Sequence, residues 1–244
     1  MSLLEIAGIS KSFRGLHALR DVDISVDEGE IVGIIGANGA GKTTLFNCIT
    51  GAFRPDSGSV TLDGRNVTGE KMHKLVGAGL VRTFQLMRPF HTMTTWENVA
   101  IAVHSRGVRS SAAARTEAST LLERTGLAEW ADSPSGSLPT AVQKRLELTR
   151  ALAMRPRVLL LDEVLAGLVP SERTPVLELL EELRDEEGVT MLFIEHIMTA
   201  VRRLSDRVVM MDQGHVLARG SVEDVLADAR VIEAYLGKEY SNAA

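Results

Sequence analysis

The sequence predicts an α/β fold built on a parallel sheet with helices on both faces, and three observations carry that prediction. Short, almost wholly apolar runs at 31–35, 158–161, 190–194 and 208–211 have the length of strands and lack a polar face, as strands buried on both sides do. A helical stretch at 171–187 separates two of these runs, and strand alternating with helix gives parallel neighbours. The glycine-rich segment Gly36-Ala-Asn-Gly-Ala-Gly-Lys-Thr43 follows the first run and precedes a helix, so a loop leaves a strand end to open a helix.

In chain order, apolar patches at 3–9 and 22–26 precede the run 31–35, separated by polar or glycine-containing turns, which makes the N-terminal part β-rich. Helical periodicity starts after Gly41 and reaches about Gly51. Arg54-Pro-Asp-Ser-Gly58 reads as a turn, and the strand 60–62 ends in Asp63-Gly64, a hairpin signal. Residues 95–126 read as helices interrupted near 105–111, and a helical segment closes the chain after Gly220-Ser221. Disorder is expected only in the tail Ser241-Asn-Ala-Ala244.

A chain of 244 residues holds one large α/β domain or two small lobes, not two independent full-sized domains. Its 45% hydrophobic and 24% charged residues are those of an ordinary globular protein. A net charge of −5 gives no long-range attraction to phosphate backbones, so no nucleic-acid partner is expected. Any phosphate site must be local. The single cysteine, Cys48, cannot form an internal disulfide and reads as a core residue of a protein from a reducing compartment. The N-terminus lacks the pattern of a secretory signal, and no run approaches the roughly 18 apolar residues that cross a bilayer. If the chain serves a membrane process, another chain must span.

Residues 36–43 match G-x-x-x-x-G-K-[ST] at every fixed position. Glycines let the backbone curl so that several N–H groups face one point, a nest for phosphate oxygens. Gly36, Asn38, Gly39, Ala40, Gly41, Lys42, Thr43 and Thr44 are the candidate nucleotide contacts. Lys42 adds a point charge, the Thr43 hydroxyl ligates Mg²⁺, and the helix N-terminus adds its partial positive charge. At this level the nucleotide is ATP or GTP. The run 158–161 ends in Asp162-Glu163. A carboxylate at the C-terminal edge of a parallel strand beside such a loop is placed to hold Mg²⁺, which is Asp162, and Glu163 is placed to deprotonate an attacking water.

The glycine loop, the Asp162-Glu163 strand end and the histidine closing Phe193-Ile-Glu-His196 together resemble the ATP-binding cassette ATPases, over essentially the whole chain. The resemblance implies ATP with Mg²⁺ and a P-loop NTPase of RecA-like core. An antiparallel β subdomain and a helical subdomain at about 88–155 complete a single cassette, 1–244, the helical part lying between the phosphate-loop and Asp162-Glu163 halves. It implies that Phe13 stacks on adenine, that Gln85 of Arg82-Thr-Phe-Gln85 contacts Mg²⁺ and water, and that His196 contacts the γ-phosphate. Catalytic roles then fall to Glu163, His196 and Gln85, and metal contacts to Thr43, Gln85 and Asp162. Within the family the chain is most similar to ATP-binding subunits of branched-chain amino-acid importers, the LivG-like type. The residues carrying this are Gly79-Leu-Val-Arg-Thr-Phe-Gln85, the frame from Leu161 to Pro170, Ile194-Glu-His196, and Val231-Ile-Glu-Ala-Tyr-Leu-Gly237. Urea or amide importers and the lipopolysaccharide-export ATPase share the same pattern.

Ser137-Leu-Pro-Thr-Ala-Val-Gln-Lys-Arg-Leu-Glu147 stands where the family carries Leu-Ser-Gly-Gly-Gln, the signature that meets nucleotide bound to a second subunit. Here Pro139 takes the serine position, Thr140 and Ala141 the glycines, and Val142 the first glutamine. Pro139 offers neither hydroxyl nor N–H. Thr140 and Gln143 have the spacing of a capping box, with Thr140 as N-cap, which would preserve the helix start but occupy the hydroxyl. Val164 and Val169 also depart from the family pattern. The elements used on the chain's own nucleotide are intact and those lent to a partner are altered. The resemblance therefore implies a dimer of cassettes, a heterodimer being favoured, with transmembrane permease subunits and, through them, a solute-binding protein. It places the chain at the cytoplasmic face of the plasma membrane. Two other classes compete: a soluble cassette acting on ribosomes or DNA, and a regulatory subunit that scarcely hydrolyses. One cassette, no heptad run and one cysteine speak against the first, and Glu163 with His196 against the second.

Overall fold

A computed structural model of the chain describes residues 2–83 and 89–236. Two long strands, β1 (Ser2–Phe13) and β2 (Leu16–Asp27), lead into the short buried β3 (Ile31–Ile35) and helix α1 (Lys42–Ile49). A hairpin of β4 (Ser57–Leu62) and β5 (Arg65–Asn66) follows, then α2 (Met72–Gly77) and β6 (Leu80–Arg82). Three helices come next: α3 (Thr95–Ser105), α4 (Ser111–Arg124) and α5 (Thr140–Leu152). The chain then alternates β7 (Val158–Asp162), α6 (Pro170–Asp185), β8 (Thr190–Ile194), α7 (Met198–Leu204) and β9 (Arg207–Asp212). It closes with β10 (His215–Gly220), α8 (Val222–Ala227) and α9 (Ala229–Leu236).

The strands form two sheets. One is antiparallel, in the order β2-β1-β4-β5, and the other runs β10-β9-β3-β8-β7-β6, parallel from β9 to β6 with β10 antiparallel on its edge. The all-apolar strands follow from burial on both faces. In β7, Val158 and Leu160 join the core shared with the antiparallel sheet and α1, while Leu159 and Leu161 point to the core under α6 and α7. The same alternation divides Leu192 and Ile194 from Met191 and Phe193 in β8. A third cluster is built mainly by Val99 and Val103 of α3, Ala118 and Leu122 of α4, and Val142 and Leu146 of α5, with Leu127, Leu138 and Ala153 from the flanking segments.

Helix boundaries follow local chemistry. Thr94 caps α3 by accepting from the Glu97 N–H at 3.3 Å while the Glu97 carboxylate accepts the Thr94 N–H at 2.8 Å. The break expected near 105–111 is the loop between α3 and α4, where Ser110 caps α4. β1 and β2 run well beyond the apolar patches at 3–9 and 22–26. They continue as a half-exposed hairpin closed by Arg14 and Gly15, both at positive φ, with register shifts along the ladder that break the alternation. β4 begins at Ser57, inside the segment read as a turn, because Ser57 and Ser59 pair with Ser10 and Ala7 of β1.

Cys48 lies in α1 at 1% exposure, and burial pushes its thiol up to about 11. At pH 8 the thiolate is then about one part in a thousand, against roughly a quarter for an ordinary thiol. Native protein should therefore leave a chromogenic disulfide reagent unreduced at pH 8, and one equivalent should react at once in denaturant. Rapid reaction in native buffer would contradict the buried placement.

Candidate nucleotide site

β3 delivers the chain to the glycine loop, which turns through Gly36, Gly39 and Gly41 at φ of 147°, 82° and 104°. Sterics as well as φ demand glycine at two of them. A Cβ on Gly36 would lie 2.2 Å from the Met211 carbonyl oxygen, and one on Gly41 would lie 2.7 Å from that of Ala18. The helical ladder of α1 opens where the Leu45 N–H donates to Gly41 at 2.9 Å. Thr43 is exposed in the first turn, Asn38 and Gly39 are exposed on the loop, Thr44 is half-buried, and Ala40 is buried beneath it. The Lys42 ammonium runs along the inside of the loop, donating to the carbonyl oxygens of Gly36 at 2.7 Å and Ala37 at 2.9 Å. Burial lowers the Lys42 pKa, and the charges of Glu163 and Asp162 oppose that shift.

Asp162 ends β7 with its side chain 1% exposed and ion-paired to Arg82 of β6, Oδ2 to Nη2 at 2.6 Å. Arg82 reaches it across the sheet because β6 and β7 are parallel neighbours in which Arg82 faces Leu160. The guanidinium also donates to Asn47 Oδ1 of α1 at 2.7 Å and lies over the Phe46 ring, 5.4 Å from its centre. Thr83 fastens the ends of the two strands, its N–H donating to Leu160 at 2.9 Å and its hydroxyl accepting the Asp162 N–H at 3.3 Å. The second carboxylate oxygen, Asp162 Oδ1, is buried with no hydrogen-bond partner among the described residues. An unsatisfied buried anionic oxygen beside a phosphate loop, with the exposed Thr43 hydroxyl at the helix start, is a donor set of the kind that a hard divalent cation takes. The residues fit Mg²⁺. Arg82 was not legible as a site residue from its sequence context, which singles out the segment without giving the side chain a role.

Glu163 is the first residue past β7 and sits at φ 52°, an uncommon conformation for a side chain of its size. Its N–H donates to Ile194 of β8 at 2.9 Å. This turn directs the carboxylate to His196, whose Nε2 lies 2.7 Å from Glu163 Oε1. With the carboxylate ionised, the bond takes its proton from Nε2 of the imidazole. The parallel pairing of β7 with β8 explains the meeting, because Asp162 faces Ile194 and both strands end at the same level.

A cleft of about 600 Å³ runs from the β1–β2 hairpin to Glu163. Its walls include Phe13, His17, Arg20, the loop from Asn38 to Thr44, and Gln213. Phe13, 38% exposed, meets Phe53 edge to face with centroids 5.2 Å apart, and this contact holds one edge of the ring while leaving surface to the cleft.

Gln85 lies outside the described residues. The signature-like segment differs from expectation at its cap: α5 begins at Thr140, with Pro139 as the N-cap and no side-chain capping bond. The capping-box reading of Thr140 and Gln143 is corrected accordingly. Pro139, at φ −56° and ψ 151°, supplies the turn into the helix, which places Thr140 inside the first turn, and the Gln143 amide donates instead to Leu138 at 2.9 Å. The exposed Thr140 hydroxyl is not occupied by a cap. Ala141 is half-buried, and Val142 turns inward at 5% exposure, so it packs where the family pattern has a glutamine. Val169 is 53% exposed before α6, its N–H donating to Glu172 at 2.9 Å.

A phosphate loop, a carboxylate pair and a strand-end histidine on one face of a mostly parallel sheet define a nucleotide-hydrolysing cassette. The chain belongs to the ABC transporter family, whose family model matches residues 19–166, and residues 215–241 match the model described as branched-chain amino acid ATP-binding cassette transporter. It is 41% identical to the high-affinity branched-chain amino acid transport ATP-binding protein BraF of Pseudomonas aeruginosa, over 97% of this chain and 98% of that one. It is 39% identical to the LivG protein of the same description from Escherichia coli K12, again over 97% and 98%. Among solved structures it resembles an ATP-binding cassette of an ABC transporter in its ADP conformation, with TM-score 0.87, 32% identity, and coverage of 98% of this chain and 100% of that one. It also resembles a dimeric cassette in a post-hydrolysis state bound to ADP and phosphate, with TM-score 0.83, 25% identity, and coverage of 90% and 98%. Among the described residues, no helix is long and apolar enough to cross a membrane.

Proposed function

We propose that this chain is the ATP-hydrolysing subunit of an importer for branched-chain amino acids, working at the cytoplasmic face of the membrane through separate permease subunits. The observation that carries the hydrolytic part is the 2.7 Å bond between Glu163 and His196 at the end of a cleft floored by the glycine loop. Glu163 takes the proton of the water that attacks the γ-phosphorus as the bond to the ADP oxygen breaks. His196 holds that carboxylate and faces the phosphate. The loop N–H groups and Lys42 stabilise the phosphate charge, and Phe13 stacks on the base. Asp162 Oδ1 and the Thr43 hydroxyl would hold Mg²⁺, with Gln85 completing the set. When bound, the ion would neutralise charge that develops on the phosphates. Residues 83–87 and the start of the helical part at about 88–155, which has a core of its own around α3, α4 and α5, would receive the permease. The cargo reading rests on the relatives, and a solute-binding protein would deliver that cargo on the far side.

The working unit in this reading pairs two cassettes, and a sister ATPase is the favoured partner. Pro139, Ala141 and the inward Val142 weaken what this chain lends to the opposite nucleotide, while its own phosphate loop and Glu163 are whole. The uncommitted Thr140 hydroxyl keeps a homodimer in play as the second reading, and one experiment separates them. ATP turnover by the purified chain with Mg²⁺ should stay near the Glu163→Gln blank at every protein concentration and rise when the sister ATPase is added. Turnover per chain that climbs with concentration would establish the homodimer instead. Cargo is tested in liposomes with the permease subunits: leucine-loaded binding protein should stimulate hydrolysis, and stimulation by an amide or urea ligand alone would redirect it.

A further inference from the structure

Glu195, between the end of β8 and His196, is 1% exposed, and no step above uses it. Its carboxylate is spent on main chain from two different loops. Oε1 accepts the Leu165 N–H at 2.8 Å, and Oε2 accepts the His196 N–H at 3.1 Å. Leu165 stands two residues after Glu163, and His196 is the residue whose ring binds the Glu163 carboxylate. The contacts therefore close a ring: Glu163 to His196 through side chains, His196 to Glu195 to Leu165 through N–H bonds, and Leu165 back to Glu163 along the chain.

The turn inside that ring needs restraint, because Glu163 holds φ 52°. From its other side Lys144 of α5 donates to the carbonyl oxygens of Glu163, at 3.4 Å, and Ala166. An anion thus grips the turn by an N–H while a cation grips it by its carbonyls. Burial opposes ionisation of Glu195 and raises its pKa, the N–H bonds from Leu165, His196 and Ile197 working against that shift. Burying a carboxylate is costly, and here N–H donors from two loops offset that cost.

We propose that Glu195 is a positioning residue for hydrolysis, its two carboxylate oxygens fixing the Glu163 loop and the His196 loop relative to each other. The proposal rests on the reading of Glu163 as general base.

The chemistry of the clamp gives the test. Glutamine at 195 has nearly the same shape but a single acceptor oxygen, so one of the two N–H groups must face an amide NH₂. Glu195→Gln should bind a fluorescent ATP analogue, and show a KM for ATP, within a few-fold of the parent, while kcat falls roughly 10- to 100-fold as the base and histidine lose register. Glu195→Asp keeps both acceptors but shortens their reach by one methylene, so it should still lose kcat by about several-fold, and it carries the test if the glutamine variant does not fold. All are measured beside Glu163→Gln with whichever cassette partner supports turnover. A fall in kcat with KM preserved supports the clamp. Parent-like kcat in Glu195→Gln, or in Glu195→Asp where that variant stands in, overturns it while leaving Glu163 as base. Retained turnover in Glu163→Gln overturns the reading of the base itself, whatever Glu195 does.

Discussion

Replacing Glu163 by glutamine should abolish steady-state ATP hydrolysis while leaving ATP binding close to that of the parent. The amide is nearly isosteric and still offers an oxygen to His196 Nε2, now 2.7 Å from the carboxylate, so the site should keep its shape. What it loses is a group able to accept a proton at neutral pH. A positioned base contributes about 10²–10⁴-fold, and kcat should fall within or beyond that range. Nucleotide affinity should move by no more than a few-fold, because the groups proposed to hold nucleotide, the loop N–H groups, Lys42 and Phe13, lie on other elements. The check pairs phosphate release with fluorescent-nucleotide titration on one preparation. A loss below tenfold would assign the proton to another group and leave Glu163 as a spacer for His196.

The parts of this site that were legible in the sequence are those whose chemistry dictates spacing. A phosphate loop needs glycines where the backbone reverses, and Gly36 and Gly41 stand where a Cβ would strike a carbonyl oxygen. β3 and β8 coincide with the runs at 31–35 and 190–194 because burial on both faces leaves almost no polar residue along the strand. Elements defined by pairing rather than composition were not legible. β6 has three residues and exists because it pairs with β7, and β10 is a half-exposed edge strand without an apolar run. α2 and α7, of six and seven residues, are too short for a helical period to show. Side-chain roles set by tertiary contact were equally hidden. Glu195 has no role legible in the sequence, and gains one only where the loop after β7 brings the Leu165 N–H against it. Thr140 has capping-box spacing, yet the fixed φ of Pro139 made the proline the N-cap and left the threonine hydroxyl outward.

Arg82→Ala should be among the most destabilising single changes in this chain, and should damage the proposed Mg²⁺ site as well. Arg82 and Asp162 have side chains 5% and 1% exposed, so solvent screening does little to weaken the pair. Removing one member strands a buried carboxylate whose other oxygen already has no hydrogen bond among the described residues. Breaking such a pair costs about 3–5 kcal/mol. For a protein of this size each kcal/mol is worth roughly 2–4 °C, so the melting temperature should drop by about 6–20 °C. Lysine keeps the charge but not the fork that reaches both Asn47 and Asp162, nor the flat face over Phe46, so Arg82→Lys should recover only part of the loss. Arg82 also holds one Asp162 oxygen and so presents the other. The substitution should therefore raise the Mg²⁺ concentration needed for half-maximal nucleotide binding, as read by fluorescence without turnover. A melting temperature within two or three degrees of the parent would mean that Asp162 is solvated or neutral in the folded chain, and the argument for its free oxygen as a metal contact would fall with it.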